Sequence, residues 1–244
     1  MILLVACTSQ LAPGPAPTED PRGAWETSLQ AAVQDDGFVD YESLRSDPAP
    51  LDRYVAWLAQ PQELSGDELF AHRINAYNAF TLAGVLDNWP LESVRDVRVG
   101  LLGFGGAGFF TGLRFKLDGT WTSLKALEDD QLRATFDDPR VHGAINCASA
   151  GCPPLRDGLF TAEGLDSELD EAMTRFVETR VRLDGDEAVF SEIFDWFEDD
   201  FRLDTPCHYA AQYDETYAAL AEADCPHRFE PYDWSLNAAS SPQR

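Results

Sequence analysis

Apolar side chains recur at helical spacing over most of the chain. A first helix is predicted over Ala24–Val33. A second runs over Leu51–Ala59, with Leu51, Tyr54, Val55 and Leu58 on one face. Ser65 followed by Asp67 and Glu68 has the form of a helix start, since acids near the first turn meet its unpaired N–H groups. That helix carries Phe70, Ile74, Tyr77, Asn78 and Leu82 to about Asp87, and Pro90 stops it. The glycine-rich stretch Gly100–Gly112 is a loop. Two hairpins follow from Asp-Gly dipeptides. One joins Leu113–Leu117 to Thr120–Thr122 through Asp118-Gly119, the other Arg180–Leu183 to Ala188–Phe190 through Asp184-Gly185.

Between the hairpins Ser123 caps a helix to Arg133, and the apolar run Arg140–Asn146 reads as a short buried strand. Thr161–Thr179 is a long amphipathic helix with a threonine cap, Ser191–Phe201 another helix, and Tyr209–Ala223 the last. No internal repeat is visible. The expected fold is α+β: a single mainly helical domain over 24–237 with short β-hairpins and a small sheet, followed by a disordered tail at 238–244.

The N-terminus adds an address. Met1–Cys7 is apolar and ends Leu4-Val5-Ala6-Cys7, which is similar to the end of a bacterial lipoprotein signal. Residues 1–7 then read as a truncated signal, Cys7 as the lipidated residue, and the Pro-, Thr-, Ala- and Gly-rich 8–23 as a flexible tether. A positively charged region is missing, as a start codon placed too far downstream would explain; the alternative is a chance apolar N-terminus. No apolar run reaches ~18 residues, so the lipid would be the only link to a membrane. The expected location is extracytoplasmic, periplasmic or at the cell surface.

Charge narrows the partners. With 18 Lys and Arg against 43 Asp and Glu, the net charge of −25 repels nucleic acids and anionic surfaces. Adaptation to a salty medium and an ordinary acidic protein account for it equally well.

The segment Arg140–Pro154 gathers chemistry: His142, Cys147 and Cys152 lie among small residues that let a substrate approach. A cysteine nucleophile needs a base, and histidine is the usual one. If 142–147 were one strand, five steps of ~3.3 Å would put His142 about 16 Å from Cys147, on the opposite face. A His142–cysteine dyad therefore requires the loop to fold back or the chain not to be extended. Asn146 would share a strand face with His142 and orient it. Cys147, entering a tight turn, is the favoured nucleophile. Cys152, before Pro153-Pro154, would sit at a helix start that lowers its pKa. Backbone N–H groups of Ala148–Gly151 would hold an oxyanion, with Ser149 a substrate contact. Alternatively Cys147 and Cys152 form a disulfide, and Cys207 and Cys225 a second, since removing Cys7 leaves four thiols. A pair cycling between both states satisfies either reading. Zinc-type spacing is absent, and neither a metal nor a cofactor is expected.

This segment resembles the hallmark of the DUF 547 domain family. Ile74-Asn75-Ala76-Tyr77-Asn78-Ala79, Ser191-Glu192-Ile193-Phe194-Asp195-Trp196-Phe197 with Asp199-Asp200-Phe201, and Tyr232-Asp233-Trp234-Ser235-Leu236-Asn237 are similar to three further blocks of it. The resemblance spans about Phe38–Asn237 and implies kinship without a reaction. Two places depart from the pattern: His72-Arg73 stand where Phe-Trp is usual, and Leu127-Glu128-Asp129 lacks a usual histidine. Asn75 and Asn78 share a helix face and either pin loops or bind substrate. Glu128 is a candidate to pair with Arg133 or orient His142. Phe194, Trp196, Phe197 and Phe201 read as core. Gly103–Gly108 fits GxGxxG but leads into a hairpin, so it is a plain loop or a flap and not a nucleotide site.

The leading expectation is a cysteine-dependent hydrolase or acyltransferase acting on an amide, peptide or thioester within an unknown small molecule or peptide. Its rivals are a binding or scaffold domain with structural disulfides and a thiol–disulfide exchange protein.

Overall fold

The computed structural model describes residues 8–100, 105–201, 205–222 and 224–239. Helices α1 (Arg22–Ala32), α2 (Tyr41–Ser46) and α3 (Ala49–Leu58) pack around α4 (Gly66–Asp87). The buried positions of α4, among them Phe70, Ile74, Ala76, Tyr77, Phe80, Leu82 and Val85, lie all round its axis. A helix that is apolar on every side must run through a core. Asp67 and Glu68 occupy its first turn as expected, but the Ser65 side chain makes no capping bond.

Strand β1 (Ser9–Gln10) pairs in parallel with β2 (Leu113–Leu117), which pairs antiparallel with β3 (Thr120–Thr122). Asp118 and Gly119 form the turn with φ of 47° and 84°, the left-handed pair that a two-residue hairpin needs. The Leu11 N–H continues the β1 ladder to the Arg114 carbonyl at 2.9 Å. Part of the segment expected as a free tether is thus fastened to the domain. Cys7 and the rest of 1–7 lie outside the described residues, as do Gly103, Phe104 and 240–244.

Ser123 caps as expected, its hydroxyl accepting the Ala126 N–H at 3.2 Å. The chain then runs through α5 (Leu124–Ala126), a π-helical stretch Leu127–Arg133 and α6 (Ala134–Phe136). The expected strand over 140–146 is not formed. Val141–Ala144 is a helical turn, α7. The Asp138 carboxylate accepts the Arg140 N–H at 2.9 Å and its carbonyl accepts the Val141 N–H at 3.2 Å, starting the turn that the apolar pattern concealed. Gly143 brings α7 onto α8 (Leu165–Arg180).

Helix α8 starts after Gly164 rather than at Thr161. It leads into β4 (Val181–Asp184) and β5 (Glu187–Ser191), whose register pairs Asp184 with Glu187. The turn residues are therefore Gly185 and Asp186, one position beyond the expected dipeptide. The helix expected over Ser191–Phe201 is split into α9 (Ile193–Trp196) and α10 (Glu198–Phe201) by Phe197, at φ −119° and ψ 28°. The last expected helix is α11 (Pro206–Ala210), a 3-10 turn Glu215–Tyr217 and α12 (Ala218–Glu222). Strand β6 (His227–Glu230) closes the second sheet in parallel with β5. The result is α+β, largely helical, with two three-stranded sheets among the described residues.

Two apolar clusters form. The larger takes in α1–α4, the first hairpin, and Leu165 and Leu169 of α8. The smaller takes in Met173, Phe176 and Val177 of α8, the second sheet, and a buried Cys207–Cys225 disulfide with a Cα separation of 5.7 Å. Helix α8 belongs to both. A Cβ on Gly143 would lie 2.9 Å from Met173 Cα and 3.0 Å from Met173 N, with backbone on one side and no flexible group to yield. Gly143→Ala is expected to cost about 1–3 kcal/mol by overpacking this crossing. Urea denaturation of both forms checks it, and an unchanged midpoint would contradict the account.

Candidate functional site

At the seam of the two clusters lies a cavity of about 480 Å3. Tyr77, Glu128, Arg133, His142, Cys147 and Cys152 line it together with Phe110, Trp196, Phe197, Tyr232 and Trp234. The folding of 141–144 into a turn brings His142 to the same wall as both cysteines.

Cys147 and Cys152 are joined as a disulfide with Cα atoms 6.2 Å apart. Cys147 is partly exposed and Cys152 buried. The Cys147 N–H donates to Cys152 Sγ at 3.0 Å. The Tyr232 hydroxyl lies 3.0 Å from Cys152 Sγ and 3.1 Å from Cys147 Sγ. Burial raises the Tyr232 pKa, so the phenol keeps its proton and remains a donor.

The loop around the disulfide is braced at several backbone groups. The Arg180 guanidinium, at the end of α8, donates to the Cys152 and Ala150 carbonyls at 2.9 and 2.8 Å. Ala150 N–H donates to the Ser235 carbonyl, Gly151 N–H to that of Asp233, and Cys152 N–H to that of Ser149. Ala148 N–H donates to Asn146 Oδ1 at 2.8 Å. These donors, expected to face an oxyanion, are already engaged. No helix starts at Cys152, so the expected dipole effect on its thiol is absent. Ser149 is buried and bridged to Leu236, and it is not part of the cavity wall.

Asn146 does not orient His142. Its Nδ2 donates to the Pro153 carbonyl at 2.7 Å, and its Oδ1 also accepts from Asn237 Nδ2 at 3.2 Å. Asn78 donates to the Ala144 carbonyl at 3.0 Å and accepts the Asn146 N–H at 2.8 Å. Asn75 exchanges two bonds with the backbone of Phe160 at 2.8 and 2.9 Å, away from this cavity. The amides of Asn75 and Asn78 pin loops from inside.

His142 is held by Asp200, which the local spacing did not assign. Nε2 and Asp200 Oδ2 are 2.7 Å apart, and the ring stacks on Phe197 at 4.2 Å between centroids. Burial lowers the His142 pKa despite this partner. The neutral ring donates from Nε2 to the carboxylate. His142, together with Arg133, holds the Asp200 carboxyl well below the usual range. No hydrogen bond links His142 to either sulfur among the described residues.

Glu128 sits on the π-helical stretch and neither pairs with Arg133 by hydrogen bond nor orients His142. Tyr77 donates to its Oε2 at 3.2 Å, while Arg133 bonds Asp129 and Asp200 instead. Burial first, then the Asp129 charge, pushes the Glu128 carboxyl up to about 7. Trp196, expected as core, is 44% exposed at the cavity mouth. Asp200, Tyr232 and Trp196 were missed as site residues. Their only signal was membership of the family-like blocks, since they are remote from 142–152 in sequence. Among the described residues no group of three or more His, Cys, Asp or Glu could hold a metal ion.

These features define an α+β domain whose cavity is walled by a disulfide, the half-buried Glu128 carboxyl, Arg133 and the His142 that Asp200 holds from behind. Residues 61–177 match the model of the family described as "Protein of unknown function, DUF547". This stretch includes Glu128, His142, Cys147 and Cys152 and ends before Asp200, Trp196 and Tyr232. Comparison with curated proteins and with solved structures returned no match.

A carboxyl raised in the folded state binds its proton more tightly there than when unfolded. Its stabilising contribution is complete below about 4.5 and is lost as pH rises through about 7. Glu128→Gln keeps an oxygen for Tyr77 and removes the titration. Its stability relative to wild type is expected near zero at pH 4 and higher by up to about 3 kcal/mol at pH 8. Denaturation across that range checks the sign, and a constant difference would contradict a buried titrating Glu128.

Proposed function

We propose that this domain exchanges thiols and disulfides through Cys147 and Cys152. The observation that carries the reading is the disulfide on the cavity wall, with one sulfur partly exposed and the other buried under two hydrogen-bond donors. A substrate thiolate attacks Cys147 Sγ. The Cys147–Cys152 bond breaks and its electron pair leaves on Cys152 Sγ, where the Cys147 N–H and the Tyr232 O–H stabilise the thiolate. The second thiolate of the substrate attacks its own sulfur in the mixed disulfide and releases Cys147 thiolate. The substrate dithiol loses two electrons, the pair gains them, and two protons pass to the cysteines. A substrate disulfide meeting the reduced pair runs the same steps in reverse.

A Cys152→Ser variant, whose Cys147 thiolate attacks a substrate disulfide and cannot be resolved, is expected to trap a mixed disulfide with a disulfide-bonded peptide at Cys147, and Cys147→Ser is expected to trap none there. Non-reducing gels and mass spectrometry of the full chain check it. A pair that resists reductant and forms no mixed disulfide would leave a structural staple in a binding or scaffold domain.

A second reading is acyl transfer by the reduced pair, with Cys147 attacking an amide, peptide or thioester carbonyl. The neutral His142 held by Asp200 and the raised Glu128 in the same cavity favour it as proton acceptors. The engaged N–H groups of 148 and 150–152 weigh against it. Acyl-enzyme formation on Cys147 from a thioester probe under reductant is its distinguishing product.

We also infer an extracytoplasmic domain held by lipid on Cys7. The Leu4-Val5-Ala6-Cys7 ending supports it, and two disulfides suit an oxidising compartment. The protein from its native host is expected in the detergent phase with a lipid mass on Cys7, and Cys7→Ser in the aqueous phase. An unmodified Cys7 in the mature protein would overturn this.

A further inference from the structure

The mouth of the cavity carries an aromatic platform that the fold alone does not require. Trp196 is 44% exposed at the end of α9. Its ring stacks on Trp234 at 5.8 Å with 23° between planes and lies 5.0 Å from Tyr232. Tyr232 and Trp234 are 4.6 Å apart, and Phe110 meets Trp234 at 6.5 Å. The Arg95 guanidinium covers Trp234 at 5.3 Å from its centroid, which leaves Trp196 as the open element. Large aromatic rings bury much area at little cost in side-chain entropy, and those left in water at a cavity mouth mark a contact surface.

Resting on the thiol–disulfide reading, we propose that this platform receives a bulky apolar side chain next to the reacting cysteine of an extended polypeptide that is neutral or basic. Three observations select this occupant. The reactive wall is a disulfide, which exchanges only with a thiol or another disulfide. The cavity, about 480 Å3, has room for a neighbouring side chain beside a cysteine. The charge excludes small anionic thiols. Lys125 is matched by Asp129 and Arg133 by Asp200, so among the described residues the wall offers no unmatched cation for an anion, and the chain carries −25. Tyr232 belongs to both parts: its ring supports the platform and its hydroxyl touches the sulfurs. The substrate's apolar side chain therefore docks next to the atoms that react.

The test compares dithiol peptides of equal length and charge that differ only in Trp or Gly beside the attacking cysteine. A second pair replaces a flanking neutral residue with Lys or Glu. Oxidation by the full chain with its Cys147–Cys152 disulfide intact is followed by chromatography. The Trp peptide is expected to be oxidised with a single-turnover second-order rate constant about tenfold above that of the Gly peptide, the size of one aromatic contact. The Lys peptide is expected to exceed the Glu peptide, by a margin that shrinks in high salt. In Trp196→Ala the Trp-to-Gly ratio is expected to collapse to about one, and Trp196→Phe to restore part of it. Trp196 is exposed enough for truncation to leave the core intact, which circular dichroism verifies. Equal rates for the Trp and Gly peptides would overturn this inference and leave thiol exchange standing. Absence of exchange with every peptide and with dithiothreitol would overturn both. Quenching of Trp196 fluorescence by an oligosaccharide but by no peptide would assign the platform to a glycan instead.

Discussion

A relay of three buried amides holds the cavity in shape. Asn78 on α4 grips both ends of the segment that leaves α7, Asn146 then fastens the chain one residue past each cysteine, at Ala148 and Pro153, and Asn237 ties Asn146 to Tyr41. Each amide uses donors and acceptors that would be costly to bury unpaired. Because the network is closed, removing one member leaves partners stranded at several points. The position of both sulfurs, and of the aromatic wall from Tyr232 to Trp234, depends on it. Arg180 works in the same sense from the opposite side, its half-buried guanidinium donating to the carbonyls of Ala150 and Cys152.

Chemistry is placed by long-range pairing and not by local spacing. His142 takes Asp200 as its partner from 58 residues away, and the sulfurs take Tyr232 from 80 and 85 residues away. The π-helical stretch carries Glu128 inward beneath Tyr77, into a setting where desolvation disfavours its charge. The wall therefore combines a carboxyl that titrates near neutrality, a neutral imidazole and a disulfide.

Helices α1, α3 and α4 and the strands of both hairpins were legible in the sequence because helical periodicity and Asp-Gly turns are local signals, whereas the six-residue α2 is too short to show a period and was not expected. That His142, Cys147 and Cys152 share one segment was legible in the sequence, but that they share one wall was left open, because a strand over 142–147 would have parted them. The 140–146 segment was misread because Val141, Ala144 and Ile145 look alike in a buried strand and a buried helical turn; the Asp138 cap decides between them. Trp196 was assigned to the core on helical spacing, but Phe197 breaks that helix and turns the indole outward. The fastening of Ser9–Gln10 was hidden because two exposed residues carry no periodicity, and only the open edge of β2 gives them a partner.

The final stretch of the chain works as a strap. After β6 it supplies Tyr232 and Trp234 to the cavity, bridges Leu236 to Ser149, bonds Asn237 to Tyr41 and Asn146, and pairs Ala239 with Val39. These contacts join the end of the polypeptide to segments made far earlier. During synthesis the cavity therefore lacks a wall until residues 227–239 have left the ribosome.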